Sequence, residues 1–316
     1  MIAQKRDIID TLRRGLDNAI ANWPATLLRL GEKVVFGALV IASAILVLVP
    51  IAISIGLHVP ETQDDWVDLM RKFVEGWTLL LWILLGVSVL LFVFVAVHAF
   101  VEAGCARIAV DGDRAAGASV QGPRTRYRVF TMQRWLAGAV EGWWPVFWIY
   151  NLAWGVAALL LLIPLIPTAV LVLVFRDSQA GVIATGCGGL VITFLFFLVL
   201  AIAAALWTNR AIAEWAARRG TAREALRFAW SALKLDFARH VLIAVAIFVV
   251  AMAGSSFFSS FGAAATIGHT ISQTAIVNFV MMPMRLAGWV LSSAFGAAVA
   301  SWYLASYAAL AVEGKP

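Results

Sequence analysis

Six runs of apolar residues, each long enough to cross a bilayer as a helix, constrain this chain more than anything else in it. They occupy residues 34–57, 77–101, 145–175, 182–207, 241–262 and 286–310. A hydrocarbon core of about 30 Å takes roughly 20 apolar residues in helical form. Lipid offers the backbone no hydrogen-bond partner, so such runs must be helices. Composition agrees: 62% of residues are hydrophobic and 13% charged, against about 45–50% and about 25% in soluble domains. The fourteen Trp residues suit the membrane–water boundary, where indole rings gather.

The basic residues give direction. Twenty of the 24 Lys and Arg fall in residues 1–33, 102–144, 208–240 and 311–316, and four fall elsewhere. The positive-inside rule then predicts a multi-pass protein of a bacterial inner (plasma) membrane with both termini cytoplasmic. The acidic stretch "HVPETQDDWVDLMRK" (58–72) is expected outside. A cleavable signal peptide is not expected, because the first apolar run starts late and exceeds an h-region of about 7–15 residues. The formal charge of +6 and the segment "RTRYRVFTMQR" (124–134) do not argue for nucleic acid, since the bases flank spans and suit anionic headgroups. Cys105 and Cys187 fall near opposite faces and form no disulfide framework.

A phrase before the first run returns before the third. In "RRGLDNAIANWP" (13–24) and "QRWLAGAVEGWWP" (133–145), Arg14, Leu16, Ala19, Ile20 and Trp23 align with Arg134, Leu136, Ala139, Val140 and Trp143. A weaker copy aligns Arg13, Leu16 and Ala19 with Arg223, Leu226 and Ala229 before the fifth run. The even runs also end alike: "RIAVDGDRAAG" (107–117) and "RAIAEWAARRG" (210–220). Arg107/Asp111 and Arg210/Glu214 are spaced as i,i+4 ion pairs. Gly117 and Gly220 suit the left-handed residue that ends a helix. Ser119 can start the next one, and Thr221 with Glu224 forms a T-x-x-E capping box.

These repeats predict an all-α polytopic membrane bundle, one integral domain over 1–316. Six transmembrane helices form three hairpins, in units of roughly 5–117, 118–220 and 221–312, each preceded by a cytoplasmic amphipathic helix. In the first of these elbows Ile8, Ile9, Leu12, Leu16, Ala19, Ile20 and Trp23 recur at helical spacing. Such a helix either lies in the headgroup boundary or packs its stripe on the ends of the spans. In both cases Arg14, Trp23, Arg134, Trp143, Trp144 and Arg223 mark the inner interface.

The elbows, with "EAGCARIAVDGDRAAG" (102–117) and "TAREALRFAWSALKLDF" (221–237), resemble the glycerophosphoryl diester phosphodiesterase membrane-domain-like family of six-span bacterial proteins. The resemblance covers most of the chain. It implies architecture and no active site, because the soluble phosphodiesterase domain that follows in some members is not expected here.

Catalytic motifs are absent: there is no HExxH, no zinc-spaced Cys/His pair, no Walker A lysine and no G-x-S-x-G. His98, Glu102 and Cys105 share one helix face and are the weak candidate for a metal or proton site. The plainer expectation is that Glu102 pairs with a nearby arginine and His98 bonds across helices. Asn151 is expected to make an interhelical hydrogen bond or to touch a substrate. Pro50, Pro164 and Pro167 interrupt runs, as in transporters with broken helices or as ordinary kinks. Gly288, Ser292, Gly296 and Ala300 form a small-residue ridge for close packing, expected inside the protomer, with self-association as the alternative.

The expected function is a non-enzymatic integral membrane module, without cofactor. It binds anionic headgroups or a partner protein through its basic elbows; a transporter or lipid-handling permease is the alternative.

Overall fold

The computed structural model describes residues 6–55, 77–117, 122–271 and 275–313. Among them every regular element is a helix. In chain order these are α1 (Ile8–Ala21), α2 (Trp23–Ile55), α3 (Trp77–Ala116), a 3-10 turn (Arg124–Tyr127), α4 (Met132–Val174), α5 (Gln179–Arg218), α6 (Ala222–Leu235), α7 (Phe237–Ile271) and α8 (Ala275–Val312). Five stretches are long and apolar enough to cross a membrane: Leu81–Ala116, Met132–Val174, Gln179–Arg218, Phe237–Ser260 and Met282–Val312. The chain is therefore an all-helical, multi-pass bundle. Of the first expected run, 34–57, residues 34–55 lie in α2, while residues 56 and 57, the acidic stretch 58–72 and Ser119 lie outside the described residues.

The long helices have 33 to 43 residues. At 1.5 Å per residue, a 40-residue helix such as α3 is about 60 Å long, twice the hydrocarbon thickness. The surplus decides where the protein packs. Over their apolar stretches the helices expose large side chains such as Leu84, Leu159 and Phe194 to the surroundings. Burial is concentrated at the other end, in the last turns of α3, α5 and α8, where Ala103, Ile108, Ala211, Ile212, Leu304 and Tyr307 form one apolar core. Helix α8 touches α1, α2, α3, α5 and α7 and is the hub of the charged end.

Helix α1 packs on this core through Ile8, Leu12 and Ala19 together with a row of small and polar residues. Thr11, Arg14, Gly15, Asn18 and Asn22 face inward and are buried. Ile9 is 71% exposed, Trp23 58%, and Leu16 and Ile20 also point outward. Gly15 sets how near α1 comes: a Cβ there would stand 2.1 Å from the Ser306 hydroxyl and 2.8 Å from the Ser306 backbone nitrogen and Cα. Backbone cannot swing aside as a side chain can. Gly15→Val is expected to cost about 1–3 kcal/mol and to raise deuterium uptake across α1, read by exchange mass spectrometry.

Two expectations change. The second elbow is not a separate helix: it continues without a break into the apolar part of α4. Nor do the prolines break their helices, since α4 runs through Pro145, Pro164 and Pro167 and α2 through Pro50. Within a packed bundle local adjustments and neighbouring groups accommodate the missing donors.

Candidate functional site

The charged end is held by buried ions. Arg14 and Asp113 are each 1% exposed. The Arg14 guanidinium donates from Nε to Asp113 Oδ1 at 2.9 Å, and its Nη2 lies 2.8 Å from the same oxygen. Nη2 also donates to the Asp113 carbonyl at 3.2 Å and the Gly117 carbonyl at 2.8 Å. Gly117 is the left-handed residue that ends α3, with φ 69°. One arginine thus ties α1 to the terminus of α3. Asn18 donates to the Ala109 carbonyl at 2.7 Å. Asn22 donates to the Tyr127 carbonyl at 2.7 Å and accepts from the Val129 and Phe130 amides at 3.0 and 2.9 Å. It thereby fixes the segment entering α4.

A second cluster joins the first and last helices. Arg239 binds Glu313 at 2.7 Å and donates to Thr11 Oγ1 at 3.0 Å. The Arg6 amide also donates to Glu313, and the Arg6 guanidinium reaches Asp113 at 3.4 Å.

Nearer the apolar stretches, His98, Glu102 and Cys105 do share a face of α3, but each group engages a different partner. Glu102 lies 2.6 Å from Arg29 of α2, both buried. His98 bridges helices, with Nδ1 2.5 Å from Glu32 of α2 and Nε2 2.9 Å from the Tyr150 hydroxyl of α4. The Cys105 thiol points at the Ala25 carbonyl at 3.6 Å. Among the described residues no group of three His, Cys, Asp or Glu side chains is disposed to hold a metal ion. Among the described residues Asn151 makes no interhelical bond: its amide donates to the Phe147 carbonyl of its own helix at 2.8 Å.

The predicted i,i+4 pairs form, Arg107–Asp111 at 3.1 Å and Arg210–Glu214 at 2.6 Å, with Arg218 on the second Glu214 oxygen at 2.8 Å. Thr221 and Glu224 make the capping box. Hydrogen bonds from the Thr221 amide and hydroxyl hold the Glu224 carboxyl below the usual range. The helix end at Gly220 differs from expectation: Arg219 is the residue with positive φ, 55°. Gly220 instead makes room for the cap, because a Cβ there would stand 2.8 Å from Glu224 Oε2.

Of the expected interface residues, Trp23, Arg134, Trp144 and Arg223 are exposed and Trp143 is half-buried. Trp144 stacks on Phe147 with ring centroids 5.4 Å apart. Arg14 is the exception, an interior ion. In the small-residue ridge Gly288 is buried, Ser292 is half-buried, and Gly296 meets Lys33 of α2, whose Nζ would lie 2.7 Å from an added Cβ. Lys33 donates to the Ser293 carbonyl at 3.1 Å. Ala300 lines an apolar crevice of about 480 Å³ between α5, α7 and α8.

Reading by sequence missed Arg29, Glu32, Asp113, Tyr150, Arg239 and Glu313. Charges close to apolar runs were the available signal, but their partners lie on other helices. A larger cavity of about 1030 Å³ opens between α4, α5 and α6. Its walls are apolar and Arg223, Glu224 and Arg227 stand at its α6 side. This combination suits a molecule with a long apolar body and an anionic head. Comparison with protein-family models, curated proteins and solved structures finds no match.

Proposed function

We propose that this chain is a non-enzymatic, six-span inner-membrane module, its termini cytoplasmic, that binds anionic lipid through α1, the head of α4 and α6. The observation that carries this reading is the sidedness of α1. Thr11, Arg14 and Asn18 are buried on the bundle, while Ile9, Leu16 and Ile20 point outward with Arg13 among them and Trp23 just beyond. In water that arrangement is unfavourable, whereas at a bilayer surface the outward face enters the headgroup–acyl boundary. Leu136, Val140 and Trp144 repeat the pattern at the head of α4. The threefold elbow arrangement and kinship with the glycerophosphoryl diester phosphodiesterase membrane domain belong to the same proposal. The cavity between α4, α5 and α6 favours a lipid-handling permease as the second reading.

Spin labels at Ile20→Cys and Val140→Cys, in a Cys187→Ser background, test the first reading in anionic liposomes. Both labels are expected to collide more often with oxygen than with a water-soluble nickel chelate, at headgroup depth. Collision rates matching a label in bulk water would defeat it.

A further inference from the structure

The cavity beneath α6 is built differently from the flat outward faces. Leu152, Val156 and Leu160 of α4 face Leu200 and Ala203 of α5 across it. From Leu152 to Leu160 is about 12 Å along the helix, the reach of the upper half of an acyl chain. Helix α6 closes one end and is pinned there, because the Trp207 indole donates to the Leu226 carbonyl at 2.9 Å. Trp207 and Trp230 stand 5.8 Å apart beside it.

The charge at this end is one-sided. Arg223 and Arg227 lie one turn apart and both line the cavity, and neither has an ion pair among the described residues. Neighbouring cations are occupied: Arg218 by Glu214 and Arg219 by Glu141. Glu224, the acid in the lining, has its carboxylate turned back onto Thr221 at 2.9 and 3.0 Å. Two guanidiniums with no ion pair among the described residues, beside an apolar slot, complement a phosphate carried on a hydrocarbon chain. Guanidinium–phosphate contacts are charge-assisted and often bidentate.

We propose that this groove is a discrete binding site for one anionic phospholipid, an acyl chain lying between α4 and α5 and the phosphate held by Arg223 and Arg227. The proposal rests on the reading of α6 as an element of the inner interface. It goes further in assigning a stoichiometric lipid to one place.

Native mass spectrometry and thermal melts of the full chain, using phosphatidylglycerol, phosphatidylcholine and free glycerol 1-phosphate as probes, test it. The protein is expected to retain a single phosphatidylglycerol and to be stabilised by it more than by phosphatidylcholine, while glycerol 1-phosphate has no effect. Arg223→Gln with Arg227→Gln should weaken phosphatidylglycerol binding about tenfold, close to one charge-assisted contact. Phosphatidylcholine binding should be unchanged, as should both lipids in Arg176→Gln, an exposed arginine just past the far end of α4 and outside the groove lining. Ala203→Trp, which fills the slot, should lower retention of both lipids. If Ala203→Trp fails to fold, by circular dichroism, the exposed double arginine variant still decides. Equal binding of the two lipids, a double variant that retains phosphatidylglycerol fully, or stabilisation by glycerol 1-phosphate alone would each overturn the proposal. Spin labels at headgroup depth with no lipid preference would remove the groove site alone. Labels in bulk water would remove the interface reading on which it rests.

Discussion

Arg14→Ala is expected to destabilise the protein by about 3–5 kcal/mol, the range for stripping one partner from a buried ion pair. The loss comes from what remains more than from what is removed. Asp113, 1% exposed, would keep the Arg6 guanidinium at 3.4 Å as its ion partner among the described residues. The Gly117 carbonyl, which accepts from Arg14 at 2.8 Å, would lose that donor. Helix α1 should loosen from the end of α3. Unfolding in mixed detergent micelles, followed by circular dichroism, measures the effect. Arg14→Met combined with Asp113→Leu should recover at least half of the loss, because a buried pair replaced by apolar side chains of similar size is often neutral. A single variant as stable as the parent would mean that Arg14 does not carry the α1–α3 contact.

Glu102→Ala is expected to have an effect of the same size, about 3–5 kcal/mol, at a different level of the bundle. It leaves Arg29 buried, and the Arg29 Nε and Nη2 atoms have no hydrogen-bond partner beyond this pair among the described residues. Helices α2 and α3 meet here, so the same site also tests the His98–Glu102–Cys105 trio. If the pair is structural, Arg29→Met with Glu102→Leu should restore more than half of the lost stability. A chelator should change neither the parent nor the variant. A double variant as damaged as the single one, or a chelator-sensitive parent, would assign Glu102 a ligating role instead.

What could be read along the chain was local. Arg107–Asp111, Arg210–Glu214 and the Thr221/Glu224 cap all lie within four residues of each other, so helical geometry alone brings them together. Arg14–Asp113 and Arg239–Glu313 join residues 99 and 74 positions apart, and no periodicity encodes such distances. The plainer expectation for Glu102 named a neighbouring arginine but could not say which; Arg29 was found only once α2 packed on α3. Asn151 shows the converse, a polar side chain in an apolar helix satisfied by the carbonyl four residues back.

The sequence by itself determined that the chain is helical, that its long apolar stretches need lipid around them, and that its basic residues gather at one end. Hydrophobic length and composition decide those points before any contact is made. Only the tertiary structure decided which face of α1 is covered. A 3.6-residue period reveals two faces but not their surroundings. Where lipid replaces water on one side, a row of polar residues can be buried, provided that partners such as Asp113 and Tyr127 are waiting for it. Those partners come from remote parts of the chain, and folding alone brings them there.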